Sequence, residues 1–185
     1  MQWQPIPEAQ LERSEQDELV PTSTGWYVVN VADSRGVTGE ELGSAALFEG
    51  SHAQGAGFEE FGLNIQVLDP GQPNCMYHRE NQQEGYLVLF GECLLIVEEQ
   101  ERPMRQWDYA HLPSGTAHVC VGAGTGPCAV LMVGTRKGED EEILYPVSET
   151  AARHGASVES ETPSPDEAYA RFPPGTRRRL PWPPS

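Results

Sequence analysis

Short apolar segments follow one another between residues 26 and 135, and this spacing most constrains how the chain can fold. Gly, Pro and Asp separate segments of mostly four to eight residues, and no convincing helical segment lies between them. This pattern predicts β-strands joined by mainly antiparallel connections. The predicted strands are 26–31, 45–49, 61–68, 75–80, 85–90, 92–98, 102–106, 109–112, 117–121 and 128–135. We therefore predict an all-β sandwich or barrel.

Charge and hydropathy exclude several classes of function. The 185 residues include 12 Lys and Arg against 28 Asp and Glu, a net charge of −16 that would repel nucleic acid and anionic lipid. No apolar run approaches the roughly 20 residues of a membrane helix, and the N-terminus lacks the features of a secretory signal. Four cysteines without a CxxC pair indicate reduced thiols. We expect a soluble, cytoplasmic protein with no nucleic-acid or membrane partner.

Composition divides the chain into four segments. The predicted segments are an N-terminal arm (1–22), the β-barrel (23–137), a short helical appendage (138–173) and a Pro/Arg-rich tail (174–185). The arm is acidic and proline-punctuated, so alone it can bury little apolar surface. Two short helices are predicted at 148–156 and 164–172, where Ser148 and Ser164 offer N-terminal caps.

Two separate stretches carry the residues that suggest chemistry. On a strand, His78 and Glu80 project to the same side, and Glu84 can return to face them after a short bend. His118 begins a later strand just beyond a Pro-x-Gly turn, where a neighbouring strand could bring it to the same cavity. Imidazole and carboxylate together suit a first-row divalent cation and leave coordination positions open. Such an ion could polarise a carbonyl, stabilise an enediolate or bind dioxygen.

The same two stretches resemble the sequence motifs of the cupin superfamily. The first cupin motif reads G-x5-H-x-H-x3,4-E-x6-G, and the run from Gly71 supplies His78, Glu80, Glu84 and Gly91. The second reads G-x5-P-x-G-x2-H-x3-N, and Pro113, Gly115 and His118 fit it. Trp107 and Gly122 stand where that motif has its first Gly and its last Asn. The resemblance covers about residues 60–135 and implies an antiparallel jelly-roll barrel, also called a double-stranded β-helix, followed here by short C-terminal helices.

The resemblance also implies a metal site. Carried over position by position, it assigns ligation to His78, Glu84 and His118, with Glu80 in the place of the family's second histidine. An anionic oxygen at that position would either shift preference toward harder ions or leave three ligands. The implied cofactor is a divalent ion, Mn, Fe, Zn or Ni.

Three further residues are candidate members of the pocket, and two functions remain open. Tyr86 is two residues after Glu84 on a predicted strand and Cys120 is two residues after His118, so each should face the same side as its partner. His111 could contact the metal ligands from behind. The protein could be a metal-dependent isomerase, epimerase or dioxygenase acting on a small oxygenated molecule. Alternatively, it could be a non-catalytic module that binds a small ligand without a functional metal site. Because cupins commonly pair through sheet edges, we expect a homodimer.

Overall fold

The structure is a computed structural model that describes residues 4–49, 57–136 and 138–184. Fourteen short strands and two four-residue helices lie in this part of the chain. The strands are β1 (Leu11–Arg13), β2 (Leu19–Pro21), β3 (Arg35–Thr38), β4 (Ser44–Leu47), β5 (Phe61–Leu68), β6 (Arg79–Glu80), β7 (Glu84–Phe90), β8 (Glu92–Val97), β9 (Gln100–Arg105), β10 (Tyr109–Leu112), β11 (His118–Ala123), β12 (Cys128–Thr135), β13 (Ile143–Leu144) and β14 (Thr176–Arg177). The helices are α1 (Glu149–Ala152) and α2 (Pro165–Ala168).

Two antiparallel sheets form the barrel. The larger has seven strands in the order β10-β7-β12-β5-β4-β3-β14, and the smaller has three in the order β11-β8-β9. Alternate side chains of both sheets point inward, which is why Val88 on β7, Leu95 on β8 and Val130 on β12 share one buried core. The predicted all-β antiparallel architecture with short C-terminal helices is confirmed.

The turn between β7 and β8 connects the two sheets. Gly91 alone separates these strands and adopts a φ of 72°, the left-handed conformation that glycine tolerates. A Cβ atom at this position would lie 2.5 Å from the carbonyl oxygen of Pro127, so the space also requires glycine. The tight turn predicted at this glycine is confirmed.

The strand predicted at 26–31 is wrong. Trp26 forms only an isolated bridge with Glu8, and a short 3-10 turn begins at Val31. Trp26 and Val28 are 52% and 81% exposed, so the apolar side chains that suggested a strand have no sheet to pack against. The next residues along the chain that join the larger sheet are those of β3, which the sequence pattern did not indicate.

The predicted strand 75–80 is only partly regular. Its last two residues form β6 and pair with β13, whereas the preceding backbone bonds to the C-terminal segment. The N–H of Met76 donates to the Tyr169 hydroxyl at 3.1 Å, and the N–H of Tyr77 donates to the carbonyl of Ala156 at 2.7 Å. The segment 138–173 therefore holds the chain just before His78.

Both ends of the chain contact the larger sheet. The predicted arm contains the β1–β2 hairpin, and its Glu18 is fully buried with the carboxylate 2.7 Å from the guanidinium of Arg177. Arg177 lies on β14, which pairs with β3 at the sheet edge, so part of the predicted tail is a strand. Residues 1–3 and 185 lie outside the described residues, and so does Lys137 at the predicted barrel boundary. Within the described chain, neither helix has the length or the apolar character that crossing a membrane requires.

Candidate metal centre

Backbone pairing brings the two predicted histidines together. The N–H of His118 donates to the carbonyl of His78 at 2.8 Å, and the N–H of His78 donates back to the carbonyl of His118 at 3.1 Å. This antiparallel bridge places both side chains on one face, with ring centroids 4.8 Å apart. Both are buried, with 8% of His78 and 1% of His118 exposed. Residues 40 positions apart in sequence thus share one site.

Backbone carbonyls fix the tautomer of both rings. Nδ1 of His78 lies 2.9 Å from the carbonyl oxygen of Met76, and Nδ1 of His118 lies 2.9 Å from that of Thr116. Because a carbonyl oxygen only accepts, each Nδ1 must carry the hydrogen. The lone pair of each neutral imidazole is then on Nε2. Such second contacts orient histidines that bind metals.

Glu84 completes the group from the first position of β7. Its Oε2 lies 2.8 Å from Nε2 of His118, while its Oε1 accepts the hydroxyl proton of Tyr86 at 3.2 Å. Oε2 is buried, and the described residues offer it no donor with hydrogen-bond geometry. Two acceptor lone pairs therefore face each other unless a proton or a cation lies between them.

The electrostatics of the three groups are coupled. Burial lowers the pKa of His118, but the Glu84 carboxylate outweighs burial and raises it above 6.5. Burial raises the pKa of Glu84, yet the adjacent imidazole of His118 brings it below its ordinary value. Burial and the neighbouring His118 lower the pKa of His78 to about 4. At neutral pH, His78 is therefore a neutral nitrogen donor beside an ionised carboxylate.

The geometry and the donor types fit a divalent cation. One ligand atom each from His78, Glu84 and His118 lies within 4.8 Å of the others. Two bonds of about 2.0–2.2 Å to one ion span at most about 4.4 Å, so small side-chain adjustments would bring all three atoms to it. Two imidazoles and one carboxylate suit first-row divalent ions and leave positions for other ligands. The orphaned Oε2 of Glu84 supports the same interpretation.

Glu80 lies in the cavity but outside this group of three. It is half-buried on β6, beside the cavity that contains His78 and Glu84. Burial, followed by repulsion from Glu84, raises the pKa of Glu80 to about 7. The side chain therefore exchanges its proton near neutral pH. Its assignment as a fourth ligand stays a prediction.

The cavity around the site measures about 400 Å³ and includes residues that the sequence reasoning missed. Asn64 and Gln66 come from β5, and their alternation with Leu63, Ile65 and Val67 is a signal that could have identified a polar inward face. Tyr145 and Tyr169 come from the C-terminal segment. Cys75 also lines the cavity, with Sγ 3.5 Å from Nδ1 of His78. No spacing rule pointed to these last three residues.

Tyr86, His111 and Cys120, the three candidate pocket residues, occupy different places. Tyr86 lines the cavity, and its hydroxyl lies 2.9 Å from Nε2 of His118. His111 is exposed on β10 and does not line the cavity. Cys120 is buried in the barrel core with Cys93 and Val88 rather than in the cavity wall. Tyr86 lies toward the cavity, as expected for a regular β7, whereas His111 lies on the outer face of its strand.

Trp107 shows why the second motif begins with glycine. Its φ of 76° is left-handed, and its N–H donates to the carbonyl of Val88 at 2.8 Å. A side chain in this conformation costs about 1–2 kcal/mol. The backbone at this position thus keeps the shape that glycine adopts without strain, although the residue differs.

Comparison with known proteins agrees with the fold. The cupin domain model matches residues 64–134, and no curated protein matches the chain. A predicted oxalate decarboxylase from Thermotoga maritima is similar at 18% identity and a TM-score of 0.51, covering 60% of this chain and 100% of that one. A polyketide cyclase from Streptomyces resistomycificus is similar at 17% identity and a TM-score of 0.51. The match covers 60% of this chain and 80% of the cyclase.

A third structure is a sugar phosphate isomerase of the cupin superfamily from Silicibacter pomeroyi. It shares 28% identity at a TM-score of 0.47, over 61% of this chain and 66% of its own. The chain thus spans just under two thirds of that isomerase. The matched residues 64–134 include His78, Glu84 and His118 as well as strands of both sheets. Residues 64–134 are thus similar to the cupin domain, and the barrel that contains them has the fold this similarity implies.

Proposed function

We propose that this protein binds one divalent first-row metal ion through His78, Glu84 and His118. The observation that carries the proposal is the fixed tautomer of both histidines. Each Nδ1 hydrogen is held by a backbone carbonyl, so each neutral ring carries its lone pair on Nε2, and Nε2 of His118 lies beside the unsatisfied Oε2 of Glu84. A proposed occupant of the cavity is a small oxygenated molecule with one oxygen on the ion.

The residues around the ion support acid–base chemistry on such a molecule. The ion would supply Lewis-acid polarisation of a bound oxygen or, if redox-active, reactivity with dioxygen. Glu80, with a pKa of about 7, can accept or donate a proton at the cavity wall. Burial keeps the Tyr86 hydroxyl protonated by raising its pKa, so that it holds Glu84 in place. An isomerase or epimerase uses such proton transfer, whereas a dioxygenase-like reaction would depend on the ion.

A non-catalytic ligand-binding module is the second candidate, and two contacts at His118 favour it. The Tyr86 hydroxyl and the Glu84 carboxylate both lie within 3 Å of Nε2 of His118, at 2.9 and 2.8 Å. A protonated His118 would satisfy that carboxylate without an ion. The protein would then hold its small ligand through the polar wall alone.

Metal analysis of purified, tag-free protein distinguishes the two candidates. We expect about one equivalent of metal in the wild type and a large loss in His118→Ala, because the variant lacks one of three ligands. His111→Ala is the matched control, since it removes an exposed histidine outside the cavity. Retention of the wild-type metal content by His118→Ala would refute the assignment. Wild-type protein that takes up no metal on reconstitution would favour the second candidate.

A further inference from the structure

The cavity wall away from the three proposed ligands is polar. Asn64, Gln66 and Gln82 contribute amide groups to it. The Gln66 amide nitrogen donates to the Asn64 side-chain oxygen at 3.0 Å, which orients both groups. Among the described residues, no partner occupies the Asn64 amide nitrogen or the Gln66 amide oxygen. One donor and one acceptor therefore remain for a ligand.

Fixed positive charge in this wall is neutralised. Arg136 is the one Lys or Arg among the described residues that line the cavity. Its Nη1 lies 3.0 Å from a carboxylate oxygen of Glu49, and the same nitrogen donates to the carbonyl of Phe58. Glu80 and Glu84 add negative charge to the cavity. An anionic group placed away from the ion would thus meet carboxylates and no free cation.

Tyr145 adds a hydroxyl-bearing side chain to the cavity wall from outside the matched cupin domain. It follows β13 directly, is 3% exposed, and has its ring centroid 6.0 Å from that of His78. Tyr169 packs against it edge-on at 5.7 Å, and the Tyr169 hydroxyl accepts the N–H of Met76. Burial raises the pKa of Tyr145 to about 12, so its hydroxyl is protonated at neutral pH. Tyr145 also lines the cavity, where a protonated hydroxyl can donate to a ligand.

We propose that the cavity selects an uncharged polyhydroxylated molecule, such as an unphosphorylated sugar, with Tyr145 as a specificity-determining hydrogen-bond donor. This inference rests on the proposed function, because one ligand oxygen is taken to bind the ion. The amide pair of Asn64 and Gln66 meets further hydroxyl groups. A phosphate on the same sugar would lie against this neutral and acidic wall.

Paired probes test the selection on zinc-loaded protein. Glucose, mannose and fructose are titrated by calorimetry beside their 6-phosphates and inorganic phosphate. We expect at least one neutral sugar to bind about tenfold more tightly than its 6-phosphate, and inorganic phosphate not to displace it. The inference is overturned if a 6-phosphate binds as tightly as its parent sugar, if inorganic phosphate displaces the sugar, or if no neutral sugar binds at millimolar concentration.

A pair of variants tests the role of Tyr145. Tyr145→Phe should weaken binding of the neutral sugar about 3–10-fold, the effect of one hydrogen bond, with zinc content unchanged. Tyr109→Phe is the matched control, because that hydroxyl is on an exposed residue of β10. Equal affinity in Tyr145→Phe and wild type would refute the role. Zinc content separates the two proposals: failure to load zinc contradicts the proposed function, whereas wrong selectivity in loaded protein contradicts only this inference.

Discussion

Glu84→Gln should remove most of the stabilisation by metal while leaving the metal-free fold intact. The amide is nearly isosteric with the carboxylate, and its oxygen can still accept the Tyr86 hydroxyl that Oε1 accepts at 3.2 Å. Its nitrogen can donate to Nε2 of His118, which lies 2.8 Å from the present Oε2. The metal-free variant should therefore unfold within about 1 kcal/mol of wild type.

The size of the metal effect follows from binding linkage. An ion at about 100 times its Kd stabilises the wild type by about 2.7 kcal/mol. For a domain of this length, each kcal/mol of added stability raises the melting temperature by about 2–4 °C, so the ion should raise it by about 5–11 °C. Removing the one anionic ligand should weaken binding about 100-fold or more, because even residues that only orient a ligand contribute 10–100-fold. At the same metal concentration, the variant should gain about 0.4 kcal/mol, or about 1–2 °C.

Thermal unfolding with and without zinc measures both quantities. Glu92→Gln, an identical change at an exposed position on β8, controls for loss of surface charge and should keep the wild-type shift. A full zinc-induced shift in Glu84→Gln would show that Glu84 is no ligand. A large loss of stability in the metal-free variant would show that the carboxylate is required by the fold rather than by an ion.

Four other expectations follow from the same contacts. Zinc affinity should fall as pH is lowered from about 8 to about 5, because Glu84 raises the pKa of His118 and protons compete with the ion for Nε2; a pH-independent affinity from calorimetry would contradict this. Gly91→Ala should lower the free energy of unfolding in urea by at least about 2 kcal/mol, because a Cβ there would lie 2.5 Å from backbone. Gly71→Ala is the control, at positive φ with open space around it, and should cost about 1 kcal/mol. Equal losses would refute the steric argument. Arg177→Ala should lower the free energy of unfolding by about 2 kcal/mol, because the fully buried Glu18 loses its cation and the partial exposure of the arginine moderates the loss. An unchanged urea unfolding curve would contradict this. We also propose that the protein is a homodimer, because β10 leaves an edge of the larger sheet unpaired in the described chain; light scattering at micromolar concentration should give twice the chain mass, and a monomer would refute it.

The sequence pattern predicted the central strands because neighbouring residues along the chain determine them. The alternation of Val88, Leu95 and Val130 with outward side chains marks a surface buried on one side, and Gly91 marks the turn that reverses the chain. The same reasoning was wrong at 26–31, because Trp26 and Val28 are apolar but have no sheet to join. An apolar run indicates that its side chains favour burial, but a strand also needs a neighbouring strand to pair with its backbone.

The sequence by itself determined the residue types at the site and the spacing that resembles a cupin motif, since strand parity places side chains along one segment. Only the tertiary structure decided that His78 and His118 pair through their backbones, that carbonyls hold both Nδ1 hydrogens, and that His111 faces outward. It also decided that Tyr145 reaches the cavity from beyond the matched domain. These contacts join residues tens of positions apart, and their geometry depends on how the sheets and the C-terminal segment pack, which no local pattern encodes.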